Sequence, residues 1–346
     1  MLILQSSNSL NMRLSESLRK NIIDVSVGRV VNRFKLKERR ITLFFEEILA
    51  YYIKKCEDAG YAKETRGIGK QWGFITTSCI MPKFLRKVPI TTLVNTVAKR
   101  VWINMGLIDD IRARKEGEKI IIKTKGEFIT RCVGKNEFMS GARAGMIQAC
   151  LGCSIKNEKL SKSGEWFVYS FVTDKKPFTV RTKKKSLYYK LNRLSKTSGI
   201  TLKQALKKDI FHLKKNNRIY FRGRPLVNIE NTVFHLIGDR AILMDKVAKI
   251  SYDYFNGLIK KSSATKKLFL LKIILHAMGW GVINISYEKN KVRIRIDYPP
   301  YGFQTEKDNW KFLVNVILGY VWLINKKFRI KKFKEGCKKL EVLYSI

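Results

Sequence analysis

Hydrophobic positions recur along this chain with two periods, and each period appears twice. Apolar residues three and four apart predict amphipathic helices over FFEEILAYYIKKCEDAGY (44–61) and MDKVAKISYDYFNGLI (244–259). Two further apolar helical stretches, VNTVAKRVWIN and LFLLKIILHA, each run into a Met-Gly pair, Met105-Gly106 and Met278-Gly279. Strict alternation then predicts strands. Lys119 and Lys123 bracket Ile120 to Ile122 in one. Val292, Ile294 and Ile296 alternate with Arg293, Arg295 and Asp297 in the other. A last helical stretch closes each series, FMSGARAGMIQACLG in the first and FLVNVILGYVWLIN in the second. Phe138 matches Phe312 and Gly145 matches Gly319 at one offset, while the Met-Gly pairs differ by one residue. The matched order reads as a tandem duplication, the first thing to settle because a missed repeat miscalls the fold.

The residues that carry the pattern are a glycine run, Gly67, Gly69 and Gly73, then Met-Gly, a charged strand, and a Phe-x-x-Gly-x-x-x-Gly helix. In that order they resemble the 4-vinyl-reductase-type small-molecule-binding domain, whose superfamily includes haem-nitric-oxide-binding and Golgi-tethering relatives. The resemblance covers about 25–174 well and 218–346 more loosely. It implies an α+β fold: two tandem copies of an antiparallel sheet packed with helices, each with an apolar cavity. Relatives of this type sense hydrocarbons or other apolar ligands, or mediate dimer assembly. The expected organisation is an N-terminal extension (1–24), a first domain (25–174), a basic helical connector (175–217) and a second domain (218–346). Either a homodimer or intramolecular pairing of the two repeats would follow. Relatives often carry cysteines in the closing strand pair. Here only Cys337 stands there, which puts a family-type metal site in doubt.

The helix at 138–152 is short of side-chain bulk, with Gly141 and Gly145 on one face beside Ala142 and Ala149. Two readings compete. Missing side chains can leave room for an apolar ligand, with Trp102, Met105, Phe138, Gly141 and Gly145 as the candidate pocket. They can equally let another backbone approach closely. The second copy keeps only Gly319, which leaves open a cavity in one copy and none in the other. The glycines at 67–73 follow no apolar strand and precede no suitably spaced acid, so they are not a dinucleotide fingerprint. They read as the end of one helix and the start of the next.

Charge changes the picture most. Seventy Lys and Arg face 28 Asp and Glu, a formal +42, which repels itself unless a polyanion is near. Nucleic acid, DNA or RNA, is the expected partner, with an apolar small molecule as a second candidate. Between Lys175 and Arg224 there are seventeen Lys or Arg and one acid, Asp209. Helices are predicted over about 184–196 and 201–214, with Thr201 capping the second. Candidate phosphate contacts in this connector are Lys183, Lys184, Lys185, Lys190, Arg193, Lys196, Lys203, Gln204, Lys207, Lys208, Lys214, Lys215, Arg218, Arg222 and Arg224. Arg293 and Arg295 join them from the sheet. Tyr188, Tyr189, Phe211, Tyr220 and Phe221 interleave with the charge, as base stacking would use them. A helix-turn-helix reading Lys203, Gln204, Lys207 and Lys208 into a groove competes with a solvated clamp between domains.

Catalysis finds no advocate. There is no nucleophile elbow, zinc-protease motif or phosphate loop. Adjacent Asp109 and Asp110 on a strand would point to opposite faces. His212, His235 and His276 are the only histidines, and Cys150-x-x-Cys153 has no second pair, so no cofactor and no metal are expected. Irregularly spaced cysteines and apolar runs too short for a bilayer read as a soluble, cytoplasmic protein without a transmembrane segment. The expectation is a non-catalytic, nucleic-acid-associated binding or regulatory protein. The alternative is a hydrophobic-ligand sensor or assembly module whose basic surface is incidental.

Overall fold

The structure is a computed structural model that describes residues 23–24, 29–30, 41–80, 87–177, 200–259, 261–300, 302, 308–336 and 339–346. After a small hairpin, β1 (Ile23–Asp24) and β2 (Arg29–Val30), the first copy begins with β3 (Ile41–Phe45). It continues through α1 (Glu46–Asp58) and α2 (Ala62–Ile80). A third helical element starts as α3 (Ile90–Leu93), passes a π-helical turn (Val94–Ala98) and ends as α4 (Lys99–Asn104). Strands β4 (Asp110–Glu116) and β5 (Lys119–Lys125) follow, then α5 (Thr130–Val133), α6 (Glu137–Leu151), β6 (Cys153–Ser163) and β7 (Trp166–Pro177). Past the basic segment come α7 (Leu202–Lys207), β8 (His212–Leu213) and β9 (Ile219–Phe221). The second copy then runs β10 (Arg224–Glu230), α8 (Thr232–Arg240), α9 (Met244–Asn256) and α10 (Ala264–Ala277). It closes with β11 (Val282–Glu288), β12 (Lys291–Asp297), α11 (Lys311–Val321), β13 (Arg329–Gly336) and β14 (Lys339–Ser345).

The fold is α+β, and the duplication is visible as topology. One four-stranded antiparallel sheet has the order β4-β5-β7-β6, and the other has the matching order β11-β12-β14-β13. Each sheet buries one face. Ile120, Ile122, Tyr169 and Phe171 point inward in the first, and Val292, Ile294, Ile296, Val342 and Tyr344 in the second. Each Met-Gly pair ends its helix in the same way. Met105 and Met278 take the last helical turn, and Gly106 and Gly279 supply the positive φ that an L side chain resists.

A third sheet, β3-β10-β9-β8, joins the copies. Its centre is the antiparallel pair of the two leading strands, with Phe45 opposite Leu226 and Leu43 opposite Asn228. Backbone contacts cross reciprocally. Leu43 donates to the Met278 carbonyl at 3.0 Å, and the Asn228 side chain donates to the Met105 carbonyl at 3.4 Å. Phe44 of the first copy sits among Phe234, Trp280 and Phe312 of the second, and the Trp280 indole donates to the Leu43 carbonyl. Burying one such aromatic contributes roughly 1.5–3 kcal/mol. The leading strands of the two copies thus share one sheet.

Three sequence expectations are corrected here. The glycines at 67–73 lie inside one continuous helix, α2, and do not separate two. The helix expected over 201–214 forms only across Leu202–Lys207 and gives way to β8, because Phe211, Ile219 and Phe221 are drawn into the core. The helix at 244–259 corresponds to α2, not to α1. A Cβ on Gly145 would meet the Lys70 carbonyl and the Phe74 amide at 2.0 and 2.7 Å. A Cβ on Gly319 would meet the Ala248 carbonyl and the Tyr252 amide at 2.2 and 2.7 Å.

Candidate nucleic-acid interface

The connector's first half, with Lys183, Lys184, Lys185, Lys190, Arg193 and Lys196, its predicted helix at 184–196, and Tyr188 and Tyr189, lies outside the described residues. Its second half is anchored by apolar contacts and exposes cations. Leu202 and Ala205 are buried beneath α7, whose N-terminus carries a full capping box. Thr201 accepts from the Gln204 amide, and the Gln204 side chain accepts from the Thr201 amide. Gln204 is thus committed to the helix end and does not stand ready to read a base. The outer side of this element presents Lys203, Lys207, Lys208, Lys214 and Lys215, all exposed. None of these five has an ion-pair partner among the described residues.

The aromatics expected to stack on bases are otherwise employed. Phe211 and Phe221 are buried and pack against each other at 6.0 Å. Tyr220 carries the Lys214 ammonium 4.3 Å from its ring centroid. With one short helix followed by a hairpin, a helix-turn-helix does not form among the described residues. Three arginines named as phosphate contacts hold the fold together. Arg218 pairs with Asp109 and donates to the Gly126 carbonyl, tying the hairpin to the first copy. Arg222 donates to the Leu258 carbonyl at 2.5 Å, and Arg224 pairs with Glu47 at 3.1 Å.

The second copy's sheet supplies the other basic surface. Residues opposite one another in a ladder point to the same side. The outward row through Arg293 therefore contains Ser286, Leu343 and Lys332, and the row through Arg295 contains Asn284, Glu341 and Lys334. Arg295 pairs with Asp297 at 2.8 Å, and Lys339 with Glu341 at 2.6 Å. The hydrogen bond from Lys339, joined by the charges of Arg295 and Lys334, holds the Glu341 carboxyl below the usual carboxylate range. A carboxylate so exposed and so stabilised reports a positive local potential. Lys291, Arg293, Lys332 and Lys334 form no ion pair within 4 Å among the described residues, although Lys334 stands opposite Glu341 and Lys291 opposite Glu288 in the ladder. Sequence alternation exposed Arg293 and Arg295 to view, but only the ladder register shows that Lys332 and Lys334 share their face.

The candidate ligand pocket does not open where it was placed. At Gly141 an added Cβ would lie 2.0 Å from the Arg66 carbonyl, and at Gly145 it would lie 2.0 Å from that of Lys70. Gly69 and Gly73 meet the Phe138 and Ala142 carbonyls in the same way at 2.0 and 2.1 Å. Backbone fills the space that a cavity would need. Phe138 is buried and stacks on Trp72, and Met105 supplies its carbonyl to the other copy. Trp102 carries the Arg143 guanidinium 4.1 Å above its ring.

Beneath that arginine lies a polar cluster that periodicity did not reveal. Arg143 Nε donates to Glu127 at 2.7 Å, and the Tyr169 hydroxyl donates to the same carboxylate at 2.6 Å. Burial first, and then the negative charge of Glu127, push the Tyr169 phenol well above its ordinary range, so it stays protonated as the donor. The one visible signal was an arginine inside a helix of glycine and alanine. Glu57 caps the same helix from outside, accepting from the Glu137 and Phe138 amides at 2.9 and 3.1 Å.

Among the described residues no group of three or more His, Cys, Asp or Glu is placed to hold a metal ion. Cys56, Cys132 and Cys153 are free thiols. His235 and His276 are buried and bonded to backbone carbonyls, at 3.0 Å to Asn309 and 3.0 Å to Ile200. No helix among the described residues is long and apolar enough to cross a membrane. No protein-family model matches the chain, and no curated protein matches it significantly.

Proposed function

We propose that this chain is a non-catalytic nucleic-acid-binding protein in the cytoplasm, built on two copies of a 4-vinyl-reductase-type module that no longer serves as a sensor. One observation carries the reading: exposed cations that form no ion pair among the described residues stand on two separate surfaces, α7 with β8 and the outer face of the C-terminal sheet, within a chain of formal charge +42. Such surfaces accumulate a polyanion and release its counterions on contact. The glycines that favoured an apolar-ligand sensor are closed by helix backbone, so that reading loses its main support.

Salt titration tests the proposal. The chain should be retained on heparin and bind mixed-sequence nucleic acid, with log K falling steeply against log salt. Each phosphate contact contributes about −0.9 to that slope on duplex DNA. Replacing Lys207, Lys208 and Lys214 by Glu should flatten the slope by roughly one unit per lost contact. A chain that ignores polyphosphates in dilute buffer is not a nucleic-acid-binding protein.

A further inference from the structure

We infer that the outer face of the C-terminal sheet is a docking surface for the sugar-phosphate backbone of a double-stranded nucleic acid, a placement that rests on the proposed function above. Lys291, Arg293 and Arg295 stand on β12, and Lys332 and Lys334 on β13, with β14 between them. Alternate residues of a strand are about 6.6 Å apart, and β12 and β13 are separated by two strand spacings of about 4.8 Å each. The cations therefore form two parallel rows roughly 10 Å apart, a two-dimensional array rather than a point site for one small anion.

The interior position of its cations sets this face apart. Lysines on β13 alone would have a plainer role, since edge strands use lysine to refuse pairing with other chains. Strand β12 is interior, hydrogen-bonded on both sides, so its cations need another reason. The equivalent outer face of the first copy is basic too, but part of its charge is paired. There Arg112 pairs with Asp110 at 3.2 Å, Arg114 with Glu116 at 3.0 Å, and Lys125 with Glu165. That face also leaves Lys119, Lys123 and Lys159 without an ion pair among the described residues, so the second sheet differs in placing arginine on its interior strand and two lysines on its edge strand.

Among the described residues this face carries no aromatic ring, which decides between nucleic-acid forms. Single strands are held by rings on which bases stack, at about 1–3 kcal/mol per base. The rows through Arg293 and Arg295 offer Ser286, Asn284, Leu343 and Glu341 between their cations, and no ring. Phosphate contacts without stacking suit a duplex, whose bases are already stacked and whose backbone is displayed.

The test compares duplex RNA, duplex DNA and a single strand of equal length by fluorescence anisotropy, using the full chain. Wild type should bind a duplex more tightly than the single strand. Replacing Lys291, Arg293, Lys332 and Lys334 together by Gln should lower duplex affinity at least tenfold at moderate salt and flatten the salt slope by up to about 3.6 units, about 0.9 per lost contact. The charge-preserving set Lys291→Arg, Arg293→Lys, Lys332→Arg and Lys334→Arg should retain binding, which separates lost charge from lost folding. Arg112→Gln with Arg114→Gln should leave affinity within twofold. The duplex bound more tightly, RNA or DNA, is the partner and must show the slope loss. Unchanged duplex binding in the Gln variant, or a wild type that prefers the single strand, overturns this placement while polyanion binding stands. A wild type that binds none of the three overturns the proposed function and this inference together.

Discussion

The two copies share a sheet order and a helix crossing, yet they pack that crossing and the layer beneath it with different side chains. In the first copy α2 and α6 meet through Gly69, Gly73, Gly141 and Gly145, so that backbone lies on backbone. Offsets fixed by the Gly145 and Gly319 contacts place Ser251 where Gly73 stands and Val316 where Ala142 stands. Ser251 keeps its side chain and donates to the Val316 carbonyl at 2.6 Å. Below the crossing, the first copy buries Glu127, Arg143 and Tyr169. The same helix and strand positions in the second hold Ile317 and Val342, both buried and apolar. One ancestral arrangement thus tolerates either a satisfied ionic cluster or plain hydrocarbon. The choice separates stability from fold, because both copies reach the same topology.

Importing the second copy's solution into the first gives the largest expected effect. Arg143→Ile leaves the Glu127 carboxylate buried with, among the described residues, only the Tyr169 and Thr124 hydroxyls as donors. Breaking a buried pair from one side costs about 3–5 kcal/mol. Adding Glu127→Leu removes the stranded charge and should restore at least half of the loss, measured by denaturant midpoints. A single variant within about 1 kcal/mol of wild type would mean the pair is screened by water and the comparison is empty.

How far the sequence could be read follows from the same contrast. Alternating Val292, Ile294 and Ile296 exposed a strand and its faces, and the repeated Met-Gly pairs exposed the duplication, because both signals are local. The use of the glycines was not local. Their cavity and packing readings differ only in whether Lys70 and Arg66 carbonyls stand opposite, and those lie on a helix some seventy residues away. Buried Phe211 and Phe221 misled for a related reason. In a lysine-rich segment an aromatic looks like a base-stacking platform until the sheet β3-β10-β9-β8 claims it. Ion-pair partners such as Glu127 and Arg143 carry no periodicity at all.

A smaller effect is expected from giving the first crossing the second copy's side chain. Gly73→Ser places a Cβ 2.1 Å from the Ala142 carbonyl, closer than real contacts allow, and the neighbour is backbone that cannot turn aside. Helices α2 and α6 must part, an overpacking cost of about 1–3 kcal/mol. Thermal unfolding should show it. A neutral outcome would show that the first crossing already has the slack of the second, and that the glycines are there by inheritance.

The smallest effect has the opposite sign and isolates what glycine does when nothing approaches it. Gly67 lies in the same helix α2, with a negative φ and no atom within 4 Å of a built Cβ. Its only contribution is backbone freedom in the unfolded chain, so Gly67→Ala should stabilise by about 0.5–1 kcal/mol. Measured beside Gly73→Ser, it splits one helix into glycines held by a neighbour and a glycine held by none. Destabilisation at Gly67 would mean that position is covered by something beyond the described residues, and the contrast between the two copies would then have to include that contact.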